Sequence, residues 1–105
     1  LDTAYARGVE LLQKRKYAKA LYILNDYNDR NTVVAHLSLD HNERAMELLA
    51  TMPKDAVTEY LRAIACSRLG RKAEGREHFL EACRLDGRME YRGNLDPEIA
   101  ELLKQ

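Results

Sequence analysis

The sequence predicts an all-α fold, an α-α superhelix of about three stacked antiparallel helical hairpins followed by a C-terminal capping helix. Apolar residues recur at spacings of three and four through most of the chain, as on one face of a helix. No stretch alternates apolar and polar residues for long enough to predict a strand. Very short turns join the helical segments in pairs, which makes neighbouring helices antiparallel. Because neither helix of a pair can cover its own apolar stripe, successive pairs are expected to stack.

The first hairpin is predicted over residues 2–27, with its turn at Lys14 to Lys16. Its apolar stripes comprise Ala4, Gly8, Leu11 and Leu12 in the first helix and Tyr17, Ala20, Leu21 and Leu24 in the second. The second hairpin, over residues 30–52, turns at Asp40 to His41. Its stripes comprise Val33, Val34 and Leu37, then Ala45, Leu48, Leu49 and Met52.

The third hairpin, over residues 54–85, has the strongest helical pattern and turns at Gly70 to Arg71. Gly70 follows Leu69 as a helix-ending residue that can take a positive φ. The apolar residues of this hairpin are Tyr60, Leu61, Ile64, Ala65 and Leu69, then Phe79, Ala82, Cys83 and Leu85. Glu59, Arg62 and Arg68 lie opposite the first stripe and are expected to face solvent.

The segment after the third hairpin divides into a loop and a helix. Residues 86–95 contain two glycines and are predicted to form a loop. Asp96 followed by Pro97 is the pair expected at the N-cap and first turn of a helix, so residues 96–104 are predicted to form the capping helix. Ile99, Leu102 and Leu103 are then expected to cover Phe79 and Cys83.

Composition narrows the class of protein. The chain of 105 residues fits a single domain, 1–105, and has no Met at its start, so it is interpreted as part of a longer protein. Its 17 basic and 17 acidic residues balance, whereas nucleic-acid binders usually carry a basic excess, so no nucleic-acid partner is expected. The longest apolar run is Ala63 to Cys66, far short of the roughly twenty residues of a membrane span, so no membrane insertion is expected.

Residues that could carry chemistry do not group in known patterns. Cys66 and Cys83 lie too far apart for a CxxC motif, and whether they form a disulfide stays open. His36 and His41 are separated by a predicted turn rather than placed four apart on one helix, as a zinc pair would be. His78 is expected at a helix surface. No catalytic residue, metal ligand or cofactor site is predicted, and the protein is not expected to be an enzyme.

Small residues at fixed positions make the chain resemble the tetratricopeptide-repeat family. In the third hairpin the matching positions are Ala63, Gly70, Gly75, Phe79 and Ala82, with Cys66 in place of the usual aromatic. The first hairpin matches at Gly8, Leu11, Ala20, Leu24 and Tyr27, with Arg15 in place of a glycine. The middle hairpin is shortened around Tyr27 to Arg30, so its first helix is expected to be short. Small side chains at Gly8, Ala20, Ala63 and Gly75 are expected where two helices cross closely.

This resemblance implies a protein-binding scaffold, since such repeats bind a peptide or helix on the concave face formed by the first helix of each pair. The positions that would line that face are Tyr5, Val9, Leu12, Asn31, Val34, Tyr60, Leu61 and Ile64. An apolar face with two tyrosines suits an apolar or amphipathic segment. The same residues are also expected as core if the stack is compact, or as covered by the rest of the parent protein.

One specialised role in the family is excluded by its motif. Members that bind the C-terminal carboxylate of heat-shock chaperones use Lys, Asn and Arg side chains. The corresponding positions here are Tyr5, Val9, Asn31, Val57 and Leu61, of which Asn31 alone matches. Without the cations a carboxylate would not be neutralised.

The alternative function is a structural spacer, or a self-association module within a larger protein, with no free ligand. The closing run from Leu95 to Leu103 resembles the tails of repeat proteins from bacterial cell envelopes. Cytoplasmic and periplasmic or cell-envelope locations both remain open, as do the partner and the oligomeric state.

Overall fold

A computed structural model describes residues 2–104, which form helices and no strand. The helices of this part of the chain are α1 (Thr3–Gln13), α2 (Tyr17–Leu24), α3 (Arg30–Ser38), α4 (Asn42–Leu49), α5 (Ala56–Arg68), α6 (Lys72–Leu85), α7 (Arg88–Asn94) and α8 (Pro97–Leu103). The predicted all-α class is confirmed, and adjacent helices pack in a hairpin-like arrangement. The chain divides into two compact units, Leu1–Leu48 and Leu49–Gln105.

Aspartates begin four of these helices. Each carboxylate accepts a hydrogen bond from a backbone N–H of the first turn, which would otherwise lack a partner. The capping pairs, carboxylate first, are Asp2–Tyr5, Asp29–Thr32, Asp55–Thr58 and Asp96–Glu98. The first helix of every predicted hairpin therefore starts at an aspartate, and the expected Asp96–Pro97 start of α8 is confirmed.

The three turns within the predicted hairpins share one backbone structure. Arg15, Asp40 and Gly70 take positive φ angles of 60°, 60° and 77°. In each turn the next residue donates its N–H to a carbonyl five residues earlier, and the bonds are Lys16 to Leu11 at 2.9 Å, His41 to His36 at 2.8 Å and Arg71 to Cys66 at 2.8 Å. This is the Schellman arrangement that ends a helix with a left-handed residue. The three turns are confirmed at their predicted places.

One buried cluster of the first unit lies between α1 and α2. Leu11, Ala20 and Leu24 are buried there, with Val9 and Ile23 packed against them. A Cβ on Gly8 would lie 2.8 Å from the Leu24 Cδ2 atom, so glycine is what lets α1 approach α2. Helix α2 also packs on α3, whose nine residues make it shorter than α1 or α5, as the shortened middle hairpin predicts.

The core of the second unit is formed by α5, α6 and α8. Its buried residues are Tyr60, Ala63, Ile64, Phe79, Ala82, Ile99 and Leu102. A Cβ on Gly75 would lie 3.3 Å from the Ala63 carbonyl oxygen, so α5 and α6 cross closely at these two small residues, as predicted. Leu85 and Leu103 were expected to face the core but are 41% and 42% exposed. They are the last residues of α6 and α8, where no following turn covers them.

The predicted loop over residues 86–95 is wrong, because α7 occupies most of it. A Cβ on Gly93 would lie 2.5 Å from the Phe79 Cζ atom. Gly93 is therefore a packing residue that brings α7 onto the Phe79 ring, and Met89 packs against the same core. The glycines of this segment suggested a break in the chain, but tertiary packing favours a helix.

Candidate functional site

Three of the predicted partner-binding residues belong to the core instead of an open surface. Tyr60, Leu61 and Ile64 on α5 are 1%, 7% and 6% exposed. The Tyr60 hydroxyl donates to Asp96 Oδ2 at 2.7 Å, and the Arg92 guanidinium lies 4.2 Å from the centre of its ring. The prediction that these side chains are open to a partner is wrong, because all three are buried. Arg92 of α7 and Asp96, the N-cap of α8, both contact Tyr60.

Two other predicted residues, Tyr5 and Asn31, are half-buried and joined by a hydrogen bond. Asn31 Nδ2 donates to the Tyr5 hydroxyl at 2.7 Å, and that hydroxyl donates to Asp29. The Tyr5 and Tyr27 rings pack edge to face with their centres 4.8 Å apart. The hydrogen bond to Asp29, followed by burial, raises the pKa of Tyr5. These groups link the start of α1 to the start of α3, which is a structural role.

The remaining predicted residues, Val9, Leu12 and Val34, are half-buried. Val9 and Leu12 pack against the buried Leu11 and Leu24. On the first-helix face of this unit these three apolar side chains are therefore only partly covered.

An open groove of about 620 Å³ lies instead between the second helix, α2, and the turn that joins α3 to α4. It is lined by Ala18, Leu21, Tyr22, Asn25, Asp26, Leu39 and His41. The α2 residues are spaced by three and four, so they form one helix face. Sequence reasoning missed this stripe because it assigned Leu21 to the buried face, where the structure leaves it half-buried. The spacing of Ala18, Leu21, Tyr22 and Asn25 was the signal.

The groove lining combines apolar side chains with one acidic residue. Tyr22 is 89% exposed, which is unusual for a large aromatic side chain. Leu21 and Leu39 are half-buried and face the groove together with it. The exposed Asp26 lies just beyond the C-terminal end of α2, where the helix dipole is also negative. The groove thus combines an apolar surface with a site that favours a cation.

A histidine pair lies beside the groove, in the turn from α3 to α4. The Nδ1 atoms of His36 and His41 are 3.0 Å apart. His36 is 6% exposed, and its Nε2 atom is buried without a hydrogen-bond partner in the described part of the chain. Burial, and then the positive charges of His41 and Arg44, lower the pKa of His36. Sequence reasoning assigned the two histidines no role, and only their turn brings them together.

A second polar cluster is centred on Glu59 in the other unit. Glu59 was expected to face solvent but is 2% exposed. Its carboxylate accepts from Arg62 at 2.5 Å and contacts His78 Nδ1 at 2.6 Å. Arg62 also donates to the carbonyl oxygens of Leu49 and Met52, in the segment that precedes α5. The carboxylate is buried because its partners replace the water it loses.

A small pocket of about 220 Å³ opens over this cluster. It is lined by Lys54, Glu59, Glu77, His78 and Glu81, none of which is a serine, threonine or cysteine. The carboxylate and imidazole resemble the orienting half of a hydrolytic triad, but no hydroxyl or thiol nucleophile lines this pocket.

Within residues 2–104, no three or more His, Cys, Asp or Glu side chains are grouped so as to hold a metal ion. Cys66 and Cys83 are free thiols, and burial raises the pKa of both. None of the helices described has the length and apolar character needed to cross a membrane.

Comparison with models of protein families, with curated proteins and with solved structures finds no match for this chain.

Proposed function

We propose that this chain is a non-catalytic, tetratricopeptide-like scaffold that binds a short segment of a partner protein in the groove between α2 and the α3–α4 turn. The observation that carries the proposal is the exposed Tyr22 beside Leu21 and Leu39 in a groove of about 620 Å³. Exposed aromatic side chains next to apolar pockets are frequent centres of protein recognition. The proposed binding surface is therefore the groove beside α2, and not the face formed by the first helix of each pair.

Charge and shape define the segment that the groove would accept. With histidine neutral, Asp26 carries the one formal charge among the lining residues. A complementary segment places an apolar side chain over Leu21 and Leu39, packs against the Tyr22 ring, and sets a lysine or arginine beside Asp26. The expected partner is therefore an amphipathic segment with one basic residue next to its apolar anchor.

Repeated local structure supports the family part of the proposal. The turns at Arg15, Asp40 and Gly70 share one hydrogen-bond pattern. Gly8 and Gly75 each stand where a Cβ would crowd the partner helix of the pair. Their counterparts in the other hairpin, Ala63 for Gly8 and Ala20 for Gly75, are also small and are fully buried. Repeated turns and small crossing residues of this kind are what a helical-hairpin repeat requires.

Peptide selection with the 105-residue chain tests the proposal. Segments chosen from a displayed random library are measured by calorimetry against the wild type, Tyr22→Ala and Tyr91→Ala. Tyr91 is the matched control, because it is a surface tyrosine 70% exposed on α7. Loss of Tyr22 is expected to weaken binding by about tenfold or more, whereas loss of Tyr91 leaves the affinity unchanged.

Equal weakening by both substitutions, or peptides whose chemical-shift footprint lies outside the groove, would contradict the proposal. The alternative of a self-association module is favoured by exposed apolar side chains in the second unit, Leu80 at 63%, Tyr91 at 70% and Leu95 at 69%. Sedimentation of the chain distinguishes the two functions. A self-association module forms oligomers that Tyr91→Ala weakens, and a scaffold for a partner segment remains monomeric without that segment.

A further inference from the structure

His36 occupies a turn position that is apolar in the other two hairpins, and His41 occupies one that is basic there. In the shared turn, the backbone hydrogen bond that spans five residues is accepted by Leu11 in the first hairpin, His36 in the second and Cys66 in the third. These residues are 5%, 6% and 0% exposed. The donors of this bond are Lys16, His41 and Arg71, in the same order. Such turns usually place a hydrophobic contact between these two positions. Only the middle turn places two titratable rings there, one of them buried.

The geometry accommodates one hydrogen between the two rings. Nitrogen atoms 3.0 Å apart form a hydrogen bond when one ring donates and the other accepts. If both imidazoles are charged, both Nδ1 atoms carry hydrogens that point at each other. The buried Nε2 of His36 has no partner within residues 2–104 that could stabilise its own added hydrogen. The pair can therefore take up one proton with its contact intact, but not two.

The charges around the pair do not favour double protonation. Arg44, on α4, adds a positive charge that acts on His36 together with that of His41. On the groove side, the carboxylate of Asp26 on the α2 end lines the same surface as His41. Asp40, the carboxylate of the turn itself, precedes His41 in the chain. The two charges that lower the pKa of the buried His36 ring are thus both positive.

We propose that the His36–His41 pair makes the groove sensitive to acid, because its second protonation separates the rings and displaces His41 and Leu39 from the groove wall. The inference rests on the proposed function for its ligand and adds the regulation of the same site. Two effects act in one direction. The displaced turn loses the Leu39 contact with the apolar anchor, and a charged His41 repels the basic residue bound near Asp26.

The direction of the pH effect follows from burial. An unperturbed histidine gains its proton near pH 6.5, and the lowered pKa of His36 places its own protonation further into the acid range. The groove wall is therefore in place for its segment at neutral pH, and it is displaced as the pH falls below the pKa of an ordinary histidine.

The test follows the groove by NMR of the 105-residue chain without any ligand, from pH about 7.5 to about 5. Methyl and amide signals of Leu39, Leu21 and Tyr22 report the groove, and the ring signals report each histidine. In the wild type, the groove signals are expected to move together with the His36 titration. In His41→Gln this movement is lost, because a neutral amide replaces the second charge.

The matched control is His78→Gln, which removes a histidine of the other unit and should leave the groove titration unchanged. Groove signals that stay fixed while His36 titrates in the wild type would overturn the proposal without needing any variant. Groove movement that persists in His41→Gln would overturn it as well.

A second measurement separates this inference from the proposed function. A selected peptide is expected to bind the wild type at least about tenfold more weakly at pH 5 than at pH 7.5, and His41→Gln with less than about half that change. If the groove signals titrate as expected but no displayed peptide maps to the groove at either pH, the switch stands and the proposed function fails. If peptides bind the groove with equal affinity at both pH values, the switch fails and the proposed function stands.

Discussion

Single residues in left-handed conformation end the first helix of each hairpin. Gly70 suits this role because it has no Cβ to meet the neighbouring carbonyl oxygen. Arg15 and Asp40 take the same backbone conformation with φ of 60° and therefore carry a local strain that Gly70 does not. The resemblance to the repeat family had pointed to this difference at Arg15, where the family often has glycine. The structure shows that the turn forms regardless of the residue, since its hydrogen bonds are equal in all three hairpins.

Replacing Arg15 by glycine is expected to stabilise the chain. The strain of a left-handed non-glycine residue is about 1–2 kcal/mol, and the extra freedom of glycine in the unfolded chain offsets about 0.5–1 kcal/mol of this. A net gain of about 0.5–1 kcal/mol should appear as a higher urea midpoint with an unchanged slope. The reciprocal change Gly70→Ala serves as the control and should lower the midpoint. Destabilisation by Arg15→Gly would show that the arginine side chain contributes more than its backbone strain costs.

Helix α7 is an element whose helical structure is determined by tertiary packing. Its segment is short and contains two glycines, so local preference favours a loop. The helix forms because Gly93 lets it lie on the Phe79 ring and because Met89 adds apolar contact. Arg92 then reaches the Tyr60 ring, and the chain passes into Asp96, which accepts from Tyr60. The burial of Tyr60 on α5 and the formation of α7 therefore depend on the same contacts.

The two glycines of this segment should respond differently to alanine. In Gly93→Ala the new Cβ would lie 2.5 Å from Phe79, so crowding is expected to destabilise the second unit by about 1–3 kcal/mol. Gly87→Ala meets nothing within 4 Å and should be neutral or slightly stabilising. Chemical denaturation of both variants measures the difference. Equal stability of the two would show that α7 is held independently of the Phe79 contact.

For the whole molecule, the balance of acidic and basic residues means that the pH dependence of stability comes from specific titratable groups. The chain has a net charge of zero, so general self-repulsion is small near neutral pH. Carboxylates such as Glu10 and Asp86 have a lowered pKa because Lys14 and Arg88 form hydrogen bonds with them. Their contribution is present above the ordinary carboxylate range and is lost as the pH falls through it. His36 acts at higher pH, because a histidine with a lowered pKa binds its proton more readily in the unfolded chain.

The free energy of unfolding should therefore fall as the pH drops below about 6.5, by at most about 1.4 kcal/mol per pH unit for this one group. Denaturation between pH about 7.5 and about 5.5 measures the slope before most carboxylates titrate. The variant His36→Leu, which copies Leu11 of the first turn, should show a smaller slope. An identical slope in the variant would mean that His36 does not contribute to the acid sensitivity.

Much of the fold could be predicted because helical periodicity is a local property. The stripes, the three turns and the close crossing at Ala63 and Gly75 follow from spacing and from side-chain size. The Asp-x-x-Thr starts of α3 and α5 were readable in the same way but were overlooked. The candidate site was less predictable. Whether an apolar stripe is exposed depends on which other element packs over it. The segment that packs on Tyr60 of α5 was expected to be a loop, but it forms α7.

The sequence by itself determined that the chain is helical, where its hairpins turn, and which small residues let helices approach. These properties depend on neighbours three to five positions away, so a single chain carries them in its pattern. Only the tertiary structure decided that Tyr60, Leu61 and Ile64 are buried, that Glu59 is enclosed by Arg62 and His78, and that an open groove follows α2. Burial and the meeting of distant polar groups depend on contacts between elements, for which periodicity contains no information.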